Sequence, residues 1–237
     1  MILLITTCGT RVADYLAPLQ EQIDSSGWMG TRILISDGPA PSNRTGWTTL
    51  ATPKREGQKA TYWRALAAGV EESRRTGDDR ILILEDDVEL CTNALQYMER
   101  ARLPRMLDFV TWYDGHIARD GATPGIYPAN ALYFICCQAV TWPRRTAEAL
   151  LASAEAAAWE GPHGGDVLIA RILRGRSYGV HVPNLAQHVG SQSVCSPGDA
   201  LTGARTSRNF PGRSFDAASL VSAVAARRSS PIVSAAS

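Results

Sequence analysis

The chain has 237 residues, 45% of them hydrophobic and 20% charged, with a formal net charge of +1. This is enough for one sizeable α/β domain or two small ones, and the near-neutral balance provides no global field toward nucleic acid or membrane. Five cysteines, with no CxxC pair and no zinc-ligand spacing, argue against a disulfide framework or a structural zinc and fit a reducing, cytoplasmic setting.

The opening MILLITTCGTR is apolar for five residues and lacks a basic leader, so it reads as a first strand, Ile2–Thr6, rather than a signal peptide. No stretch approaches the roughly 18 apolar residues of a membrane span, and no membrane insertion is expected. Val12, Leu16, Leu19 and Ile23 recur at helical spacing, with Pro18 either kinking that helix or starting it. Arg32–Ser36 reads as a second strand, closed by the turn-rich SDGPAPSN. A loop runs to about Arg55, and Ala60, Trp63, Leu66, Ala67 and Val70 mark an amphipathic helix. TGDD turns the chain into a third strand, Ile81–Leu84, followed at once by Glu85, Asp86 and Asp87.

Thr92 is placed to cap a helix running through Arg100. Phe109–Tyr113 and Leu132–Cys137 read as strands, Pro143–Ala158 as a helix with proline in its first turn, Val167–Leu173 as a helix and Tyr178–Val182 as a last strand. From about residue 196 the chain turns rich in Ser, Arg, Gly and Ala and reads as a flap and tail, with a short helix near Ala217–Ala226. The order of elements predicts an α/β fold, an open and largely parallel sheet flanked by helices over 1–195. Ligands bind beyond the carboxyl ends of such strands, and CGTR, SDG and EDD all fall there.

Two neighbouring carboxylates repel, and each is driven toward protonation. A hard divalent cation removes that conflict, and Mg²⁺ or Mn²⁺ takes carboxylates together with substrate phosphates. Strand alternation predicts Glu85 and Asp87 on one side and Asp86 on the other. The plain alternative is a hydrated acidic loop.

LILEDDVEL resembles the D-x-D region of GT-A-fold, nucleotide-sugar-dependent glycosyltransferases, here as E-x-D. LITTCGTR is similar to the nucleotide-contacting start of that family, SDGP to its second strand end and REGQKATYWRALAAG to the helix leading into the acidic motif. PNLAQHVGSQS is similar to its H-x-G element, in which a histidine supplies a further metal ligand. The resemblance implies a single GT-A-like (Rossmann-like) domain with a nucleotide-sugar half at 1–115 and an acceptor half at 116–195. It implies metal ligation by Glu85, Asp87 and His188, with Mn²⁺ or Mg²⁺ as cofactor. Donor contacts would come from Thr6, Thr7, Arg11, Asp37, Lys59, Glu85 and Asp86, the donor being a nucleoside-diphosphate sugar, a UDP-sugar first.

In inverting members of that family an acid near a helix start is the general base. Asp166, in GPHGGDVLIARIL, matches by position and is equally a helix cap. His163 is a weaker candidate for the same role, and His181 reads as structural. Asp114 is either a sugar contact or a turn aspartate before Gly115, and Arg205 and Arg208 are either phosphate contacts or solvated charges. The acceptor stays open between a glycan, a protein and a hydroxymethylated DNA base; for the last, only the tail arginines and the clusters Arg100/Arg102/Arg105 and Arg171/Arg174/Arg176 speak. Two rivals remain. A sugar-phosphate nucleotidyltransferase would want a longer glycine-rich loop than CGTR, and a non-catalytic nucleotide-sugar binding module would lose nothing on Asp166→Ala.

Overall fold

A computed structural model describes residues 1–8, 11–41, 44–115, 121–160, 164–190 and 206–220. Its main sheet has eight strands: β1 (Ile2–Cys8), β2 (Arg32–Asp37), β3 (Thr48–Ala51), β4 (Arg80–Glu85), β6 (Val110–Thr111), β7 (Gly125–Asn130), β8 (Ala139–Pro143) and β9 (Ser177–Val182). Their spatial order is β3-β2-β1-β4-β8-β6-β9-β7, and a separate ribbon pairs β5 (Val88–Leu90) with β10 (Ala186–His188). Following the pairings across the sheet, β8 and β7 run against the other six strands, so the sheet is mostly parallel.

Strand alternation divides the core into two layers. Leu3, Ile5, Leu82 and Leu84 face one side, packed with Leu16, Leu19 and Ile23 from the first helical segment and Leu95 and Met98 from α3 (Ala94–Arg100). Ile2, Leu4, Ile81 and Ile83 face the other, packed with Tyr62, Leu66 and Val70 of α2 (Gln58–Thr76), Leu150 of α4 (Arg144–Leu151) and Ile169 of α6 (Gly165–Ile172). Burying each such side chain contributes about 1.5–3 kcal/mol. Apolar residues on both faces are what a strand covered on both sides requires.

Several expected boundaries move. The first helix begins as a π-helical turn, Val12–Leu16, and becomes α1 at Ala17–Ser25 with Pro18 in its first turn, where its missing N–H costs nothing. The strand expected at Leu132–Cys137 is absent. The Asn130 side chain accepts the Leu132 N–H to open a 3-10 turn, Ala131–Tyr133, and Cys136 takes φ 84°, so extended pairing resumes only at Ala139. Thr92 does not cap α3; its hydroxyl donates to the Arg213 carbonyl, and Asn93 stands before the helix in a left-handed conformation. The helix expected over 143–158 breaks at Ala152 and Ser153 into α4 and α5 (Ala154–Ala158). The strand β7 contains Pro128 but lies at the sheet edge, where a missing donor is tolerated.

Residues 206–220, assigned from the sequence to the tail, are folded onto the core. Ala217 and Leu220 are buried, Phe210 and Phe215 pack against the same layer as α1 and α3, and Thr92 bridges to Asp216. The Ser207 N–H donates to Gln187 Oε1 at 2.8 Å and the Asn184 N–H to the Asn209 carbonyl at 3.0 Å, which straps β10 in place. Of the helix expected near Ala217–Ala226, Ala217 and Ala218 form a turn and Ser219 and Leu220 are helical; the remainder lies outside the described residues, as do His163 and Arg205.

His181 on β9 is fully buried. The Pro183 carbonyl, 2.6 Å away, can only accept, so Nδ1 carries the proton and Nε2 accepts from the Tyr97 hydroxyl at 3.0 Å. Burial pushes its pKa down from 6.5 to about 4. In this window the unfolded chain binds more protons than the folded one, so His181 contributes stability above pH 6.5 that is lost as pH falls toward 4, about 3 kcal/mol in all. In urea unfolding, His181→Gln should flatten the decline of stability between those pH values; an unchanged slope would contradict this.

Candidate functional site

The carboxyl ends of β1, β2, β4 and β9 lie along one edge of the sheet, and the β5–β10 ribbon closes over that edge. β4 stops at Glu85, and Asp86 and Asp87 form the turn into β5. The alternation expected through the three acids therefore does not persist. Asp86 and Asp87 both meet Arg11: Asp86 Oδ1 stands 3.3 Å from the guanidinium, and Asp87 Oδ2 is in close ion-pair contact with Nη2. Arg11 stacks over the Tyr15 ring, 4.7 Å from its centroid, and stands just before the π-helical turn that carries Tyr15.

The β5–β10 register sets His188 opposite Val88, and the Val189 N–H donates to the Asp87 carbonyl at 2.8 Å. His188 Nε2 thus reaches Asp87 Oδ2 at 3.0 Å. Gly190 makes the approach possible, because a Cβ there would collide with Asp87 Oδ2 and Arg11 Nη2. Asp86 is held from the other side by the Thr7 hydroxyl at 2.6 Å, and Thr6 directs its hydroxyl to the Leu84 carbonyl.

Glu85 turns away from this group. Its Oε1 accepts from the Gln58 side-chain amide at 3.1 Å, and Gln58 Oε1 accepts the Gly165 N–H at 2.9 Å. Gln58 begins α2, and its placement is fixed by Asp37, whose carboxylate accepts the N–H groups of Glu56 at 2.6 Å and Gly57 at 3.1 Å. Gly57 has φ 95°, which favours glycine. Asp37, expected to meet the nucleoside, is buried and engaged in this loop, and Lys59 donates to the Trp159 carbonyl at 2.6 Å.

Asp166 is the second residue of α6, and the cap position belongs to Gly164. Its Oδ1 accepts the Val167 N–H at 2.9 Å and its Oδ2 the Cys136 N–H at 3.0 Å. The second bond uses the left-handed backbone of Cys136, a conformation that costs a non-glycine residue on the order of 1–3 kcal/mol. Strain of this kind is held where the surroundings over-determine it, and here it anchors the acid that the sequence singled out. Asp114, a short way past β6, is buried, and its carbonyl accepts from Asn184.

The electrostatics separate the acids. Burial and the Asp87 charge push Glu85 up to about 8, with Gln58 opposing. Burial lifts Asp86 to about 7 against the pull of Arg11. Burial also pushes Asp87 upward, but His188 and Arg11 outweigh it and hold Asp87 below the usual carboxylate range. Asp87 is the acid kept ionised at the centre of the cluster.

As a place for a divalent cation, the pair Asp87 and His188 fits. Asp87 Oδ1 and His188 Nδ1 are buried without a hydrogen-bond partner among the described residues, and a carboxylate with an imidazole suits Mn²⁺ or, with further oxygens from substrate and water, Mg²⁺. The expected third ligand is not gathered with them. Glu85 is bonded to Gln58, and among the described residues no group of three or more His, Cys, Asp or Glu side chains stands together as a ligand set. The sequence reading missed Gln58 and Tyr15. A polar residue in the first turn of a helix carries no pattern of its own, so only the fold shows what either touches.

No family model matches the sequence, and no curated protein matches it. Among solved structures, the fold overlaps a galactosyltransferase, LgtC, in complex with donor and acceptor sugar analogues, at 12% identity and a TM-score of 0.47 over 76% of this chain and 72% of that one. It overlaps S. aureus TarS 1–349 in complex with UDP-GlcNAc at 10% identity and a TM-score of 0.48, over 77% of this chain and 56% of that one. The glycosyltransferase GlyE of Streptococcus pneumoniae TIGR4 overlaps at 10% identity and a TM-score of 0.45, over 76% and 44%. This chain thus spans about half the length of the latter two. A likeness this loose carries neither function nor residue roles from those proteins to this chain.

Proposed function

We propose that the chain transfers a glycosyl group from a nucleoside-diphosphate sugar to an acceptor hydroxyl, with inversion at the anomeric carbon. One observation carries the reading: a cationic and acidic cluster of Arg11, Asp86, Asp87 and His188 is linked through Glu85 and Gln58 to a second carboxylate, Asp166, at the same edge of the sheet. Transfer to a hydroxyl needs both halves, one for the leaving diphosphate and one for the incoming oxygen.

In this reading Asp166 accepts the acceptor's hydroxyl proton as its oxygen bonds to the anomeric carbon and the bond to the diphosphate breaks. Asp87 and His188 hold a divalent cation, which when bound supplies positive charge to the departing diphosphate. Arg11, held by both acids, shares that task. A UDP-sugar is the first donor to test.

A saccharide acceptor is favoured over DNA. Leu132, Tyr133, Ile135 and Val167, in the turn and helix that flank Asp166, are exposed and uncharged. Arg171 and Arg176, from one of the basic clusters, are paired with Glu155 and Asp108.

A donor screen measuring nucleoside-diphosphate release tests the proposal. Release from at least one donor, raised by Mn²⁺ or Mg²⁺ and abolished by EDTA, is expected; release indifferent to EDTA removes the cation from the mechanism.

A further inference from the structure

We infer that Gln58 is a positioning residue that sets the spacing between the donor-side acids and the acceptor-side base. The inference rests on the glycosyl-transfer reading and assigns a role within that same site. Glu85 ends β4 and is joined by the chain to Asp86 and Asp87. Gly165 opens α6 and is joined by the chain to Asp166. Between these two elements stands the Gln58 side chain, giving its amide N–H to Glu85 and accepting the Gly165 N–H.

Among unbranched side chains of this length, the neutral amide does both, through two separate atoms. A lysine donates but cannot accept, and an ionised carboxylate accepts but cannot donate. A carboxylate would also add a negative charge beside Asp166 and the acidic turn. Gln58 is a neutral spacer between two acids that repel, and it fixes α6 against the acidic turn.

The surroundings are built to this contact. An added Cβ at Gly164 would lie 2.9 Å from Gln58 Oε1, so the residue before α6 is small where Gln58 reaches it. At the other end, Asp37 gathers the Glu56 and Gly57 N–H groups and so fixes where the Gln58 backbone starts. Asp37 therefore acts on the site through Gln58.

Two variants test this. Gln58→Met keeps length and loses both bonds. Gln58→Glu keeps shape and the acceptor, but loses the donor and adds charge. In Gln58→Met, amide exchange at Gly165 should rise about tenfold, and kcat should fall roughly 10- to 100-fold, the scale of a misplaced reacting group. The donor KM should stay within about threefold and the thermal midpoint within about 8 °C, about what two lost hydrogen bonds cost. Gln58→Glu should lose kcat comparably despite its shape. An active wild type with unchanged kcat in Gln58→Met, unchanged Gly165 exchange, or a kcat loss that only tracks unfolding overturns the inference alone. A wild type that releases no nucleoside diphosphate from any donor overturns the transfer reading and this inference with it.

Discussion

Asp166→Asn is expected to lower the rate of sugar transfer about 10²- to 10⁴-fold, the range supplied by a positioned general base. The substitution keeps the shape and one acceptor oxygen, but it places an NH₂ group where one of two backbone N–H groups, Val167 or Cys136, is now accepted. It should therefore also cost about 1–3 kcal/mol of stability for an unsatisfied donor. The two effects are separable. If Asp166 serves only to hold the Cys136 loop, Asn will lower the thermal midpoint while kcat per folded molecule stays near wild type. If it is the base, kcat falls far more than the folded fraction does. Single-turnover rates alongside a melting curve on the same preparation distinguish these outcomes.

Asp87→Ala is expected to abolish Mn²⁺ binding and to lower kcat/KM at least 10²-fold, a loss of about 2.7 kcal/mol or more in transition-state stabilisation. Asp87 is in contact with both Arg11 and His188, so its removal takes away one of the two proposed cation ligands and unties Arg11 from His188. Stability should change less than activity. Arg11 keeps Asp86 as a partner, and the repulsion between the two acids, which raises Asp86, disappears. Isothermal titration with Mn²⁺ after EDTA treatment reads the binding directly, and wild-type affinity in Asp87→Ala would remove Asp87 from the cation site.

Much of the frame was legible in the sequence because it follows from local pattern. The apolar run Ile81–Leu84 before three acids, the helical spacing from Ala60 to Val70 and the strand at Tyr178–Val182 each appear close to where they were expected. The run Leu132–Cys137 was misread because an apolar stretch of that length does not distinguish a strand from an irregular segment, and what decides it is Asn130 and the left-handed Cys136. The tail was misread from composition. Phe210, Phe215, Ala217 and Leu220 are few and widely spaced, and only the core they meet gives them a folded position.

At the site, the placing of Asp87 and His188 at one end of the sheet was readable from their positions just past two apolar strand runs. The departure of Glu85 was not. Alternation holds only while the strand continues, and β4 ends at Glu85, so the next two acids turn together toward Arg11. The roles of Arg11, Thr7 and Asp37 as partners of protein groups depend on distances between elements far apart in sequence, which no spacing rule encodes.

Glycosyl transfer itself is tested most directly by following a labelled sugar from donor to acceptor. With a panel of labelled nucleoside-diphosphate sugars, a saccharide acceptor and Mn²⁺, label should move onto the acceptor with inverted anomeric configuration in the wild type and be reduced at least 10²-fold in Asp166→Asn. Label that never leaves any donor, or that moves equally in Asp166→Asn, would contradict the assignment.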